Sequence, residues 1–105
     1  METAAQTKQD VLDRLSQNQS DISALGVKKM GLFGSFVREG QEPGSDVDLL
    51  VAFEPNKKTF DNFMKLSFLL EDLLRREVEL VTVESLRSHI GPRILEEAEY
   101  VFSST

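Results

Sequence analysis

The residues of this 105-residue sequence that could do chemistry gather between positions 34 and 48. Gly34 and Ser35 are followed, after ten intervening residues, by Asp46 and Asp48. On a strand, the two aspartates would point to the same face, about 6.6 Å apart along it at ~3.3 Å per residue. Two carboxylates aimed at one point repel each other unless a cation joins them, and Mg²⁺ typically takes one or two carboxylates together with phosphates. The spacing therefore predicts a metal-nucleotide site.

Besides the two aspartates, three residues of this stretch are suited to bind phosphate. Gly34 lets the backbone approach a phosphate closely, and Ser35 offers both a hydroxyl and a backbone N–H. Arg38 follows one turn later and adds a positive charge for a phosphate or a leaving group. We therefore predict that Gly34, Ser35 and Arg38 bind nucleotide.

Length and composition exclude several classes of protein. With 105 residues, 40% of them hydrophobic, residues 1–105 are expected to form one domain. The sequence has no cysteine, which excludes disulfides and thiolate zinc sites. The longest apolar run has five residues, Leu49–Phe53, and the first residues lack a signal-peptide pattern. We expect a soluble cytoplasmic protein with no membrane partner.

Charge argues against direct binding to nucleic acid. The sequence carries 18 acidic and 12 basic residues, a net charge of -6, which repels a phosphate backbone. The basic residues do not gather into a stripe but lie in scattered pairs: Lys28-Lys29, Lys57-Lys58 and Arg75-Arg76.

Hydrophobic periodicity predicts helices alternating with three strands, which is an α/β layer fold. The second strand is apolar on both faces and is expected to be central in the sheet. The predicted elements are a helix over 7–19, strands over Val27–Phe33 and Val47–Phe53, a core helix over 59–75, a strand over Val78–Val83, and a last helix from Pro92 to Phe102. The phosphate and metal residues thus fall at neighbouring strand ends, joined by a polar turn.

Two other side chains call for an interpretation. His89, the single histidine, has no second nitrogen or sulfur ligand near it, and we expect it in a surface loop. Phe68 projects from the polar side of the predicted core helix, beside Asp61 and Asp72. It either marks a contact patch or is covered by the C-terminal helix, and we expect the latter.

Four stretches together resemble a known family. They are LFGS at 32–35, SDVDLLV at 45–51, VELV at 78–81 and RILEEAEYVF at 93–102. The chain resembles the minimal nucleotidyltransferases (MNT) of the DNA polymerase beta superfamily. The resemblance implies a nucleotidyltransferase fold, with a mixed three-stranded sheet in the order 1-2-3 flanked by about four helices.

The resemblance also implies a catalytic apparatus. Gly34 and Ser35 would hold the triphosphate of ATP. Asp46, Asp48 and Glu79 would be the catalytic carboxylates, and they would bind two Mg²⁺ ions. Strand alternation in VELV supports the last of these, because Glu79 lies on the face opposite its apolar neighbours.

The sequence departs from the family pattern at two positions. Glu79 stands where the family usually has Asp, which moves the carboxylate one methylene further from the backbone. Glu39 stands where the family commonly has Gly, close to the expected phosphate turn. An alternative interpretation of Glu79 is an exposed residue of an edge strand.

The function implied is that of an antitoxin that works by adenylylation. Minimal members of the family are commonly paired with a HEPN-domain toxin, so this chain would transfer AMP from ATP to a hydroxyl of a cognate HEPN toxin, in a homo- or hetero-oligomer. Two alternatives stay open. One is a catalytically inactive antitoxin that neutralises its partner by binding, and the other is a small-molecule nucleotidyltransferase.

Overall fold

The computed structural model describes residues 3–38, 44–86 and 91–103, with side chains described as far as residue 101. These ranges form four α-helices, four strands and two 3-10 turns. The helices are α1 Lys8–Gln17, α2 Gln19–Ala24, α3 Phe60–Leu74 and α4 Gly91–Glu97; the strands are β1 Val27–Phe33, β2 Val47–Phe53, β3 Val78–Thr82 and β4 Glu99–Ser103; the 3-10 turns are Gly34–Phe36 and Val83–Ser85.

The strands form one mixed sheet in the order β3-β2-β1-β4. β1 pairs antiparallel with β2 and β4, whereas β2 pairs parallel with β3. The predicted mixed sheet and its 1-2-3 order are confirmed, and β2 is an inner strand as its sequence predicted. A parallel pair needs a crossover connection, which α3 supplies between β2 and β3.

The fourth strand corrects the prediction of a last helix reaching Phe102. That helix ends at Glu97, and residues 99–103 instead pair with the outer edge of β1. Tyr100 lies opposite Gly31, and its ring centroid is 4.1 Å from the Lys29 Nζ, a cation–π contact across the strands. The apolar spacing of this segment suited a helix, but aromatic and β-branched residues beside an unpaired strand edge favour a strand.

The core lies on one face of the sheet, under α1, α2 and α3. Four residues of β2 that share this face contribute to one buried cluster with side chains from each of these helices. They are Val47, Leu49, Val51 and Phe53. By alternation, Asp46 and Asp48 lie on the other face of the sheet.

Helix α3 packs on this core and ends at Leu74, just before β3. Thr59 caps its N-terminus by accepting a hydrogen bond from the Asn62 N–H, and Leu66 and Leu70 are fully buried along its inner face. Its C-cap, Arg75, is left-handed, with φ of 55°. Phe68 is 63% exposed on the outer face, so the expectation that the C-terminal helix covers it is wrong.

Neither α3 nor any other helix within 3–38, 44–86 and 91–103 has the length and apolarity to cross a membrane.

Candidate active site

The acidic residues meet where β1 ends and β2 and β3 begin. Asp48 lies opposite Phe33 of β1 on one side and opposite Glu79 of β3 on the other. Glu79 is hydrogen-bonded to Asp48 through its side chain, and Asp46 is close enough to act on Asp48 electrostatically. The structure therefore brings the three predicted carboxylates to one face of the sheet, with Asp48 in the middle.

The crowding of these groups changes the acidity of Asp48. Burial raises the pKa of Asp48 to about 6, and the Glu79 carboxylate, its hydrogen bond and the Asp46 charge act in the same direction. The positive charge of Arg38 opposes them. Mutually repelling carboxylates at one point are typical of a site that binds a cation, and also of sites that handle protons.

Gly34 is the residue that allows the first strand to approach Asp48. Its φ is +79°, and a Cβ on its backbone would lie 2.1 Å from Asp48 Oδ2. Any other residue would strain the backbone and displace the carboxylate. Gly34, which the sequence predicts to bind phosphate, thus also leaves the space that the Asp48 carboxylate occupies.

Ser35 lies in the 3-10 turn Gly34–Phe36, and Arg38 follows two residues after its end. The Val37 and Arg38 N–H groups both donate to the Gly34 carbonyl, which fixes the turn. The Arg38 Nη1 lies 2.6 Å from Glu97 Oε1 of α4, and the Arg38 side chain is 63% exposed. Sequence reasoning missed Glu97, because a contact 59 residues away leaves no local signal.

A cavity of about 330 Å³ opens beside Asp46, at the beginning of β2 and β3. One of its walls is Arg76, which donates to the carbonyls of Ala5 and Ser45 and lies 5.2 Å from the centre of the Phe36 ring. Sequence reasoning also missed this cavity. In the sequence, Arg75-Arg76 is only one of several scattered basic pairs.

No three acidic, histidine or cysteine side chains in the described part of the chain are arranged so that they could hold a metal ion as they stand. Asp48 and Glu79 form a hydrogen-bonded pair, with Asp46 exposed at its side. Their oxygens are the ligands that Mg²⁺ prefers in proteins, so the donor set fits such a cation by its chemistry. Glu39 and His89 lie outside the described residues.

This fold, with an acidic pair at the start of an inner strand and a glycine-led turn against it, defines a nucleotide-transferring enzyme. The family comparison agrees, since the model of the nucleotidyltransferase domain matches residues 9–101. The chain belongs to this nucleotidyltransferase domain family. The predicted family and fold and the prediction of an enzyme are confirmed.

Two curated relatives narrow the class. The chain is 36% identical over 96 residues to the protein adenylyltransferase MntA of Thermococcus cleftensis, covering 90% of this chain and 96% of that protein. It is 40% identical over 73 residues to a Methanocaldococcus jannaschii protein assigned as a protein adenylyltransferase, covering 70% and 77%. AMP transfer is thus the activity for which these relatives are named.

Solved structures show the same fold. One assigned as a minimal nucleotidyltransferase has a TM-score of 0.78 and 30% identity, covering 89% of this chain and 94% of that one. An MNT antitoxin from Shewanella oneidensis, in complex with a tri-AMPylated HEPN toxin, has a TM-score of 0.65 and 16% identity, covering 93% and 74%. At that identity, the second likeness shows the fold alone.

Proposed function

We propose that this chain transfers AMP from Mg-ATP to a hydroxyl group of a HEPN-domain toxin and thereby acts as an antitoxin. The observation that carries the proposal is the position of Asp48, held between the Gly34 turn and Glu79 at the junction of three strands. The names of the curated relatives support AMP as the group transferred.

Each residue of the site has a role in this proposal. Gly34 and Ser35 bind the triphosphate through the backbone and hydroxyl of their turn, and Arg38 adds charge. The three carboxylates, Asp46, Asp48 and Glu79, would hold Mg²⁺. When bound, Mg²⁺ supplies positive charge that offsets the charge of the phosphates and of the acceptor oxygen.

The transfer exchanges one phosphorus–oxygen bond for another. The acceptor oxygen bonds to the α-phosphorus of ATP, and the bond from that phosphorus to the oxygen bridging the β-phosphate breaks. Pyrophosphate leaves with the bridging oxygen, and Glu79 accepts the proton of the hydroxyl and passes it to solvent. The products are an AMP-modified acceptor and pyrophosphate.

The proposed acceptor is based on the partners bound in related solved structures. The Shewanella toxin bound to its MNT antitoxin carries three AMP groups, and another neighbouring structure is a toxin-antitoxin complex with AMP-PNP. We infer that this chain modifies a HEPN partner encoded beside it, and that it can add AMP more than once.

A second candidate function is neutralisation by binding alone, and one surface favours it. Phe60 and Phe68 are 78% and 63% exposed, eight residues apart on the outer side of α3. Beside Phe60, an apolar cavity of about 320 Å³ reaches Phe53 and Phe63. Exposed apolar patches of this kind mark contacts with other proteins.

The two functions are separated by the position of the label. The protein is incubated with its HEPN neighbour, Mg²⁺ and ATP labelled at either the α- or the γ-phosphate. We expect label on the partner from α-labelled ATP alone, and none from either in the presence of EDTA. A stable complex that never acquires α-label would refute the enzymatic function and leave the binding antitoxin.

The ion pair between Arg38 and Glu97 predicts how a substitution changes nucleotide affinity. Because Glu97 competes with phosphate for Arg38, Glu97→Gln should tighten binding of a non-hydrolysable ATP analogue by about twofold to fivefold, measured by calorimetry. Solvent reaches the Arg38 side chain, which is 63% exposed, although Glu97 is only 22% exposed, so stability should change by less than ~1 kcal/mol.

The control for this substitution is Glu96→Gln, a neighbouring exposed glutamate whose loss changes the net charge equally. It should leave the affinity unchanged. Weaker binding by Glu97→Gln would show instead that Glu97 holds Arg38 in position for the nucleotide.

A further inference from the structure

The cavity beside Asp46 is built from three separate parts of the chain. They are the N-terminal segment, the residues just before β2, and the turn between α3 and β3. The cavity has a volume of about 330 Å³, and its lining is Ala4, Gly44, Asp46, Arg75, Arg76 and Glu77. A volume of this size is at the lower end of the range for small-ligand pockets and can admit a side chain.

The cavity and the glycine turn flank the acidic residues from opposite sides. β2 lies between β1 and β3 in the sheet. Gly34 follows β1 and lies against Asp48, whereas Glu77 leads into β3 and its carbonyl accepts a hydrogen bond from the Val47 N–H. A line across the sheet therefore passes from the glycine turn, over Asp48 and Asp46 at the beginning of β2, to the cavity.

In an in-line attack, the leaving group and the acceptor hydroxyl would occupy different sides of β2. An attacking oxygen approaches phosphorus from the side opposite the leaving group. If pyrophosphate leaves on the Gly34 side, the acceptor hydroxyl must arrive from the side of β3. The cavity is the recess that lies there, with Asp46 in its wall.

Arg75 gives this recess a positive charge. In the part of the chain that the structure describes, its side chain takes part in no ion pair, whereas Arg76 is held by backbone carbonyls. Arg75 also has φ of 55°, a conformation that helix ends usually assign to glycine. A guanidinium group is well suited to bind a carboxylate or a phosphate.

We propose that this cavity is the acceptor subsite and that Arg75 binds an anionic group next to the acceptor hydroxyl. The proposal rests on the proposed function, and it adds the chemistry by which the acceptor is selected. The anion is either the carboxylate of an acidic side chain beside the hydroxyl, or the phosphate of an AMP group already attached.

Arg75→Gly tests this proposal without disturbing the fold, because glycine accepts the left-handed backbone at this position. We expect the KM for the HEPN partner to rise by about 10-fold, the KM for ATP to stay unchanged, and the unfolding temperature not to fall. Arg75→Lys should recover part of the loss. The control is Lys65→Ala, which removes one exposed positive charge from α3 and should change neither KM.

Intact mass spectrometry of the partner separates the two sources of the anion. If Arg75 reads an acidic side chain, Arg75→Gly slows the first AMP transfer. If it reads an attached phosphate, the first transfer keeps its rate and the later ones slow. An unchanged rate for every transfer would overturn the proposal.

A binding measurement keeps this inference separate from the proposed function. The labelled protein is titrated with a Glu-Tyr-Glu peptide, its phosphotyrosine form and a Gln-Tyr-Gln peptide, and amide shifts are followed by NMR. We expect the anionic peptides to shift residues 44–46 and 75–77, and Arg75→Gly to abolish this. If the wild type transfers no AMP, the proposed function fails, and this titration alone decides the subsite. Equal shifts with all three peptides, or none, would refute it.

Discussion

Asp48→Asn is expected to abolish AMP transfer and, at the same time, to stabilise the protein without nucleotide or metal. Loss of a positioned group at the reacting centre typically costs at least about 10²–10³-fold in rate. Stability should rise because asparagine removes a charge that burial and two neighbouring carboxylates disfavour. The gain at pH 8 should be about 1 kcal/mol, well below the full linkage value since solvent reaches this side chain.

The stabilisation should depend on pH with a definite sign. The folded pKa of Asp48 is about 6 and the ordinary pKa of the side chain is 3.8, so between these values the folded state holds a proton that the unfolded state has released. The wild type therefore loses stability as pH rises from about 4 to 6, and Asp48→Asn does not. Thermal unfolding at pH 4 and pH 8 measures this, with a difference between the proteins at pH 8 only.

The matched control is Asp72→Asn, at an exposed aspartate of α3 that is not among the charges acting on Asp48. It should leave both the transfer rate and the pH dependence of unfolding close to wild type. An Asp48→Asn protein that still transfers AMP would show that the carboxylates have been given the wrong roles.

Gly34→Ala is expected to have the second large effect. Its Cβ would lie 2.1 Å from Asp48 Oδ2 on a backbone with φ of +79°. The left-handed conformation alone costs a non-glycine residue about 1–2 kcal/mol, and displacement of a reacting group by about 1 Å can cost 10²-fold in rate. We expect a loss of at least about 2 kcal/mol in unfolding free energy and of about 10²-fold in transfer.

Gly26→Ala is the control that distinguishes the effect of backbone strain on stability from the effect of Gly34→Ala on AMP transfer. Gly26 has φ of +89°, and a Cβ there would lie 2.2 Å from the Lys57 Cβ, one strand length away from the site. It should lose similar stability in denaturant, while the folded protein keeps transfer within about twofold of wild type. Equal loss of activity in both variants would mean that Gly34 acts only through the fold.

Local pattern was enough to predict the elements that carry the site. The bounds of β1 and β2 follow from apolar runs closed by glycine and by turn residues, and α3 from its 3.6-residue period. The segment that ends in β4 could not be predicted in this way. Its apolar residues suit a helix or a strand, and the choice depends on the open edge of β1, which lies some 70 residues earlier.

For the site, too, the sequence predicts some contacts and not others. Gly34 and Asp48 meet because they end and begin strands that pair with each other, and the sequence showed both strands. The salt bridge of Arg38 with Glu97 and the cavity next to Asp46 depend on how α4, the N-terminal segment and the α3–β3 turn come together. Contacts between such distant segments produce no residue spacing by which a sequence could predict them.

The strand order has a consequence for repeated transfer. Among the described strands, β3 is hydrogen-bonded only to β2, so Glu79 and the cavity lie at the outer border of the sheet. The Gly34 turn follows β1, which is flanked on both sides. On the proposed assignment, a partner docked along the rim of β3 and a nucleotide at the Gly34 turn lie on different sides of β2. We therefore expect successive AMP transfers without release of the partner, because exchange of pyrophosphate for ATP would not require it to leave.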